Sequence, residues 1–121
     1  FSVCGNKKMT VVDAKSGKVV ATPAIGNGPD AAGFDTAHSV VFSSNGEGNL
    51  TILKQKSADE YATLQTLTTK PGARTMAVDP ATGKVYLATA AFGPRPAATP
   101  ENPRPRPAIL PNSFVVLVVG R

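Results

Sequence analysis

Short apolar runs alternate along the chain with turn-forming residues, and this pattern predicts an all-β protein. The runs are rich in Val, Thr and Ala and are bounded by Gly, Pro, Asn and Asp, which is typical of strands joined by tight turns. In the stretches 13–17, 35–39 and 79–83, an aspartate opens the turn and can accept hydrogen bonds from the backbone that follows. The longest apolar run, 114–119, is far shorter than the ~20 residues of a membrane-spanning helix.

A pattern of four such runs occurs twice. When residues 9–45 are laid over residues 50–89, Met9 aligns with Leu50, 41 positions later, and Val40 aligns with Lys84, 44 positions later. A period of roughly 40 to 45 residues is typical of the blades of a β-propeller, each of which is a four-stranded antiparallel sheet.

The residues of the repeat also carry a family resemblance. Residues 11–30 read VVDAKSGKVVATPAIGNGPD, residues 40–45 read VVFSSN and residues 83–89 read GKVYLAT. This succession resembles the YVTN-type β-propeller repeat of YncE-like bacterial proteins, over roughly residues 1–90 and again over 114–121. The resemblance implies the fold and a secreted or periplasmic bacterial location, but says almost nothing about activity.

With the strand order of that family, the chain is expected to form one complete four-stranded blade flanked by two incomplete blades. Residues 1–28 form a partial blade with strands b, c and d, residues 29–70 a complete blade, and residues 71–121 a partial blade with a Pro-rich insertion at 92–111. The expected strands are 1–4, 9–13, 18–25, 30–35, 40–44, 50–54, 61–68, 74–79, 84–89 and 114–119. Because a blade covers its apolar faces only against neighbouring blades, the chain is expected to self-associate or to join the rest of a propeller through open faces and edge strands.

The first residues, Phe1-Ser2-Val3-Cys4, include neither an initiator Met nor a basic segment before an apolar one. They therefore look like neither a natural start nor a signal peptide, and the chain is expected to be a piece of a longer protein. Cys4 has no second cysteine to pair with and is expected to be a small buried residue at a strand end.

The positive charge lies in the second half of the chain. Residues 1–60 carry equal numbers of acidic and basic residues, so the whole formal net charge of +5 comes from residues 61–121. Arg95, Arg104 and Arg106 lie in the segment 92–111, whose seven prolines predict an extended, polyproline-like excursion. This segment is either a partner-binding loop that uses the three arginines or an insertion packed on the fold, with Ile109 and Leu110 as its anchors.

No catalytic constellation is recognisable in the sequence, and no metal site or cofactor site is expected. The recurring Asp13, Asp35 and Asp79 are assigned to turns, and the only histidine, His38, lies in one of those turns. The candidate ligand site is instead at the mouth of the central channel, where Asp30 of one blade aligns with Arg74 of the next. The alternative for this pair is an ordinary ion pair between blades.

The leading functional hypothesis is a non-enzymatic binding or scaffold module. One alternative is part of a propeller enzyme, such as a lactonase-like hydrolase, whose catalytic and metal-binding residues lie outside this chain. A second alternative is a basic nucleic-acid-binding propeller, for which the arginines of segment 92–111 and the pI of 9.7 give limited support.

Overall fold

The protein is all-β, as the apolar pattern predicts. A computed structural model describes residues 1–120, and these residues contain ten strands and no helix, so none of them forms a helix able to cross a membrane. The strands are β1 (Ser2–Cys4), β2 (Lys8–Val12), β3 (Val19–Ala21), β4 (Pro29–Asp35), β5 (Val40–Asn45), β6 (Asn49–Gln55), β7 (Tyr61–Thr68), β8 (Thr75–Val78), β9 (Val85–Thr89) and β10 (Val115–Val119).

These strands form three antiparallel sheets in chain order. The first sheet has the order β1-β2-β3, the middle sheet β4-β5-β6-β7 and the third sheet β8-β9-β10. Each strand pairs antiparallel with the next one along the chain within its sheet. Short turns join most of these pairs, whereas β9 and β10 are joined by the long segment that contains the Pro-rich residues 92–111.

The middle sheet lies between the other two sheets. All six residues of β5 are buried, and the side chains of its first three residues alternate between two separate apolar cores. Val40 and Phe42 belong to a core shared with Val85 and Leu87 of the third sheet. Val41, on the opposite face of the same strand, belongs to a core shared with the first sheet. A strand buried on both faces explains why β5 starts with an uninterrupted apolar run.

A buried polar cluster joins the first sheet to the middle sheet. The Asn45 side-chain amide donates to Asn49 Oδ1 at 2.7 Å and to Thr51 Oγ1 at 3.0 Å, while the Ser43 hydroxyl donates to Asn45 Oδ1 at 3.0 Å. The Gly26 backbone N–H, from the segment after the first sheet, donates to Thr51 Oγ1 at 3.2 Å. Each bond satisfies a polar group that would otherwise be buried without a partner, and such groups are costly.

Two β-bulges in the middle sheet were not foreseen. The pairing of β4 with β5 skips Asp30, and the pairing of β6 with β7 skips Leu64. A bulge places one extra residue opposite a single partner and re-aims its side chain, so both residues leave the regular alternation of their strands.

The Pro-rich segment forms an arm that folds back on itself. Its base is held by the Gly93 N–H donating to the Ala108 carbonyl at 2.8 Å and the Leu110 N–H donating to the Ala91 carbonyl at 2.9 Å. The expectation that Ile109 and Leu110 anchor the arm is wrong, because these side chains are 65% and 44% exposed. The buried residue of the arm is Pro105.

Candidate binding cleft

A cleft of about 700 Å³ opens between the middle sheet and the third sheet. Phe42 of β5, Ile52 of β6 and Leu67 of β7 form its apolar wall on the middle sheet, and Val85 and Val119 line it from the third sheet. No catalytic or ligand-binding residue was assigned to this region from the sequence, because the cleft is created by the difference in size between two sheets.

That difference is one strand. The middle sheet has four strands and the third sheet three, so β7 extends past β10, the last strand of the third sheet. The bulge in β7 adds Leu64 to the same side as Gln65 and Leu67, and all three line the cleft. Leu64 is 58% exposed, since the third sheet has no strand opposite it.

One end of the cleft is polar and carries positive charge. His38 and Lys54 line this end, and the Lys54 ammonium donates to the His38 backbone carbonyl at 2.6 Å. Among the described residues that line the cleft, none is acidic.

His38 is held in place by a buried carboxylate. Asp35 is 1% exposed, and its Oδ2 lies 2.8 Å from His38 Nδ1, while its Oδ1 accepts the His38 backbone N–H at 3.2 Å. An ionised Asp35 carboxylate can only accept, so with Asp35 ionised this contact requires a proton on His38 Nδ1. This ion pair, with the histidine charged when protonated, is the only one within residues 1–120.

The same turn occurs at the other two recurring aspartates, as the sequence predicts. Asp13 Oδ1 accepts the Ser16 N–H at 2.7 Å, and Asp79 accepts the Thr82 hydroxyl at 2.6 Å and the Ala81 N–H at 3.0 Å. These hydrogen bonds stabilise the ionised form, so the pKa of each of these two carboxyl groups lies below its usual value. His38 thus occupies the third position after the turn aspartate, where the other two turns have a hydroxyl residue.

Neither Asp30 nor Arg74 lines the cleft. Asp30 is the bulged residue of β4 beside Ser44, and the Ser44 hydroxyl donates to the Arg74 backbone carbonyl. Both side chains are exposed. No ion pair joins the two side chains within residues 1–120, and the ligand site expected at these residues stays a prediction.

Arg95, Arg104 and Arg106 are all exposed on the arm, and none of them forms an ion pair with another residue in the range 1–120. Phe92, at the base of the arm, lies against Gly72. The three arginines therefore belong to a surface separate from the cleft.

Within the described residues, no three His, Cys, Asp or Glu side chains lie close enough together to hold a metal ion. Cys4 ends β1 half-buried, with its Sγ 3.6 Å from Thr10 Oγ1, so it is less buried than expected.

No family model matches the chain, and neither a curated protein nor a solved structure gives a match. What the cleft can bind is therefore inferred from its shape and its lining residues. Its walls are apolar and one end carries Lys54, which is the chemistry of a site for a partly apolar ligand.

Proposed function

We propose that the chain is a non-enzymatic β-propeller module for binding or scaffolding, part of a larger secreted or periplasmic bacterial protein. In this proposal the middle sheet is a complete blade, and the first and third sheets are blades that each lack one strand. The observation that carries the proposal is the burial of β5 on both faces, by a separate sheet on each side. Sheets stacked face to face in chain order are the arrangement of neighbouring propeller blades.

The position of β4 supports the same arrangement. This first strand of the middle sheet contacts both β1 of the first sheet and β8, the first strand of the third sheet. Radially arranged sheets approach each other most closely at their inner strands, so β4 and β8 are the proposed channel strands.

The outer face of the third sheet is the proposed surface for association with a second copy or with the rest of a propeller. Val116 and Val118 of β10 are 52% and 57% exposed there. Val118 is paired with Tyr86, which also faces outward on β9. Exposed valines and a tyrosine on neighbouring strands form an apolar face of the kind that marks an interaction site.

Sedimentation velocity tests the proposed association. We expect dimers or larger species at micromolar concentration and a shift toward monomer in the double variant Val116→Thr, Val118→Thr, because threonine keeps the β-branched shape and removes apolar area. The matched control is Ile109→Thr, at a position on the arm that is 65% exposed. A wild-type chain that sediments as a monomer throughout this range would contradict the proposal.

A propeller enzyme of the lactonase-like kind remains the alternative, with its metal ligands supplied by parts outside this chain. Metal analysis of the purified full-length parent separates the two. The binding proposal predicts no stoichiometric calcium or zinc, whereas one bound metal ion per chain would favour the hydrolase.

A further inference from the structure

We propose that the Pro-rich arm, residues 92–111, presents a face of three arginines that binds an acidic, extended segment of another protein. The segment carries carboxylates at alternate positions, which pair with Arg95, Arg104 and Arg106. The arm is an internal connection of the chain, between β9 and β10. The inference specifies a partner for the binding module proposed above and rests on that proposal only in taking the chain to be a binder.

The arm is a hairpin whose base and tip are both held by cross-leg contacts. At the base, an antiparallel bridge places Phe92 opposite Ile109. At the tip, Thr99 and Asn102 exchange two backbone hydrogen bonds, in which the N–H of each donates to the carbonyl of the other at 3.1 Å. Both ends therefore define which residues of the two legs face each other.

This register puts two arginines opposite each other. Three residues inward from the base on each leg, and equally four residues back from the tip, the facing positions are Arg95 and Arg106. Because the two counts agree, neither leg has an inserted residue between base and tip. Side chains directly opposite in an antiparallel pair lie on the same face, with Cβ atoms about 5 Å apart.

The third arginine joins the same face. Along the returning leg, prolines and arginines alternate from 103 to 107. A residue before proline is restricted to extended conformations, and successive side chains of an extended chain point to opposite faces. Arg104 and Arg106 therefore share one face, and the prolines lie on the other. The burial agrees with this assignment, since Pro105 is buried and both arginines are exposed.

No acidic group of the arm neutralises the arginine face. Glu101, the only acidic residue between 92 and 111, lies in the turn at the tip and forms no ion pair with an arginine within residues 1–120. Arg95 and Arg106 are thus like charges held opposite each other, an arrangement that costs stability. A bound anion would remove this repulsion. Because the prolines beside each arginine restrict the backbone, the arm would lose little conformational freedom on binding.

The spacing of the arginines matches an acidic polypeptide. Arg104 and Arg106 are two residues apart on an extended leg, a distance of about 6.6 Å. Carboxylates at alternate positions of an extended segment have the same spacing, and each guanidinium can hold a carboxylate through two parallel hydrogen bonds. No two acidic residues of 1–121 stand at alternate positions, so the segment belongs to another protein rather than to a second copy of these residues.

A nucleic acid fits the arm less well than an acidic polypeptide does. Arginine also pairs with phosphates, but proteins that bind single strands combine cations with aromatic side chains on which the bases stack. The legs and tip of the arm, residues 93–108, contain no aromatic residue. We therefore assign the arginine face to carboxylates.

The test uses a fluorescein-labelled peptide as long as residues 102–108, in which Glu and Ser alternate. Binding is measured by fluorescence anisotropy at low salt. A control peptide has the same composition with its glutamates consecutive. We expect saturable binding of the alternating peptide and binding of the control that is weaker by roughly threefold. Added salt should weaken both, because exposed charges are screened.

Protein variants locate the peptide. Arg95→Gln, Arg104→Gln and Arg106→Gln each remove one guanidinium, and their control, Lys18→Gln, removes one exposed cation from a turn of the first sheet. The net charge falls equally in all four. We expect each arm variant to weaken binding by roughly threefold and the control to leave it unchanged. Arg106→Lys, which keeps the charge but not the two parallel hydrogen bonds, should weaken binding less than Arg106→Gln does.

Three results would overturn the inference. They are no saturable binding of the alternating peptide, arm variants that weaken binding no more than Lys18→Gln does, and tighter binding of a fluorescein-labelled thymidine oligonucleotide than of the peptide. The last result would assign the arginine face to nucleic acid. Sedimentation of the variants of Val116 and Val118 reports on the outer face of the third sheet, so a failure of the arm and a failure of the proposed module are distinguishable.

Discussion

His38 Nδ1 lies 2.8 Å from the Asp35 carboxylate, and the backbone of Gly83 closes over the same carboxylate from the third sheet. A Cβ placed on Gly83 would lie 2.7 Å from Asp35 Oδ2. Asp35, which shapes the turn before β5, is therefore covered by the turn before β9 that contains Gly83. Its contact with His38 holds the histidine ring at the polar end of the cleft.

Replacing His38 tests this relationship. We expect His38→Ala to lower the free energy of unfolding by about 1 to 2 kcal/mol, because a buried carboxylate loses a hydrogen-bond donor. His38→Thr should recover most of the loss, because Thr82 donates to Asp79 from the equivalent position. Urea denaturation of the two variants at pH 7 measures both effects. If His38→Ala and the wild type were equally stable, the contact between the His38 ring and the Asp35 carboxylate would contribute nothing to the free energy of unfolding.

Gly26 is expected to tolerate no side chain. A Cβ there would lie 2.4 Å from Asn49 Oδ1 and 2.5 Å from Asn45 Nδ2, so Gly26→Ala should displace the buried polar cluster and cost about 1 to 3 kcal/mol. The matched control is Gly5→Ala, whose Cβ would meet nothing within 4 Å. Thermal denaturation compares them, and a Gly26→Ala variant as stable as the control would contradict the described packing.

The turn at Asp79 predicts how stability depends on pH. Hydrogen bonds from the Thr82 hydroxyl and the Ala81 N–H hold the pKa of Asp79 below its usual value of 3.8 in the folded chain. Because the folded pKa is the lower one, the stabilisation is fully present above about pH 3.8 and is lost as the pH falls through the folded pKa.

Asp79→Asn should therefore be less stable than the wild type at pH 6, and the difference should shrink toward pH 2. Guanidinium denaturation at several pH values measures it. A difference that stays constant over this range would show that the ionised carboxylate does not stabilise the turn.

The strand pattern was readable from the sequence because it depends on local chemistry. The ten expected strands coincide with the ten observed ones apart from residues at their ends. The largest difference is at 18–25, where the strand ends at Ala21, two residues before Pro23. Proline has no N–H for a regular ladder, and an isolated bridge between Lys8 and Ala24 continues the pairing beyond it.

The cleft could not be predicted from the sequence, because it depends on how whole sheets overlap. Leu64 is the unpaired residue of the bulge in β7 and lines the cleft. The sequence around it, Thr63-Leu64-Gln65, predicts a regular strand and gives no sign of the bulge. His38 was assigned to a turn correctly, but the burial of Asp35 behind it comes from Gly83, 48 positions away in the sequence. The one sequence feature that indicates a special role for His38 is its position three residues after the turn aspartate, where the other two turns have Ser16 and Thr82.

The central claim is that β5 lies between two sheets while β10 is an edge strand within residues 1–120, and hydrogen exchange of individual amides tests it most directly. We expect the amides of β5, from Val40 to Asn45, to exchange most slowly, at a rate set by global unfolding. Alternate amides of β10 should exchange many times faster than their neighbours, since they face the open edge. Uniformly strong protection along β10, or weak protection of β5, would contradict the account.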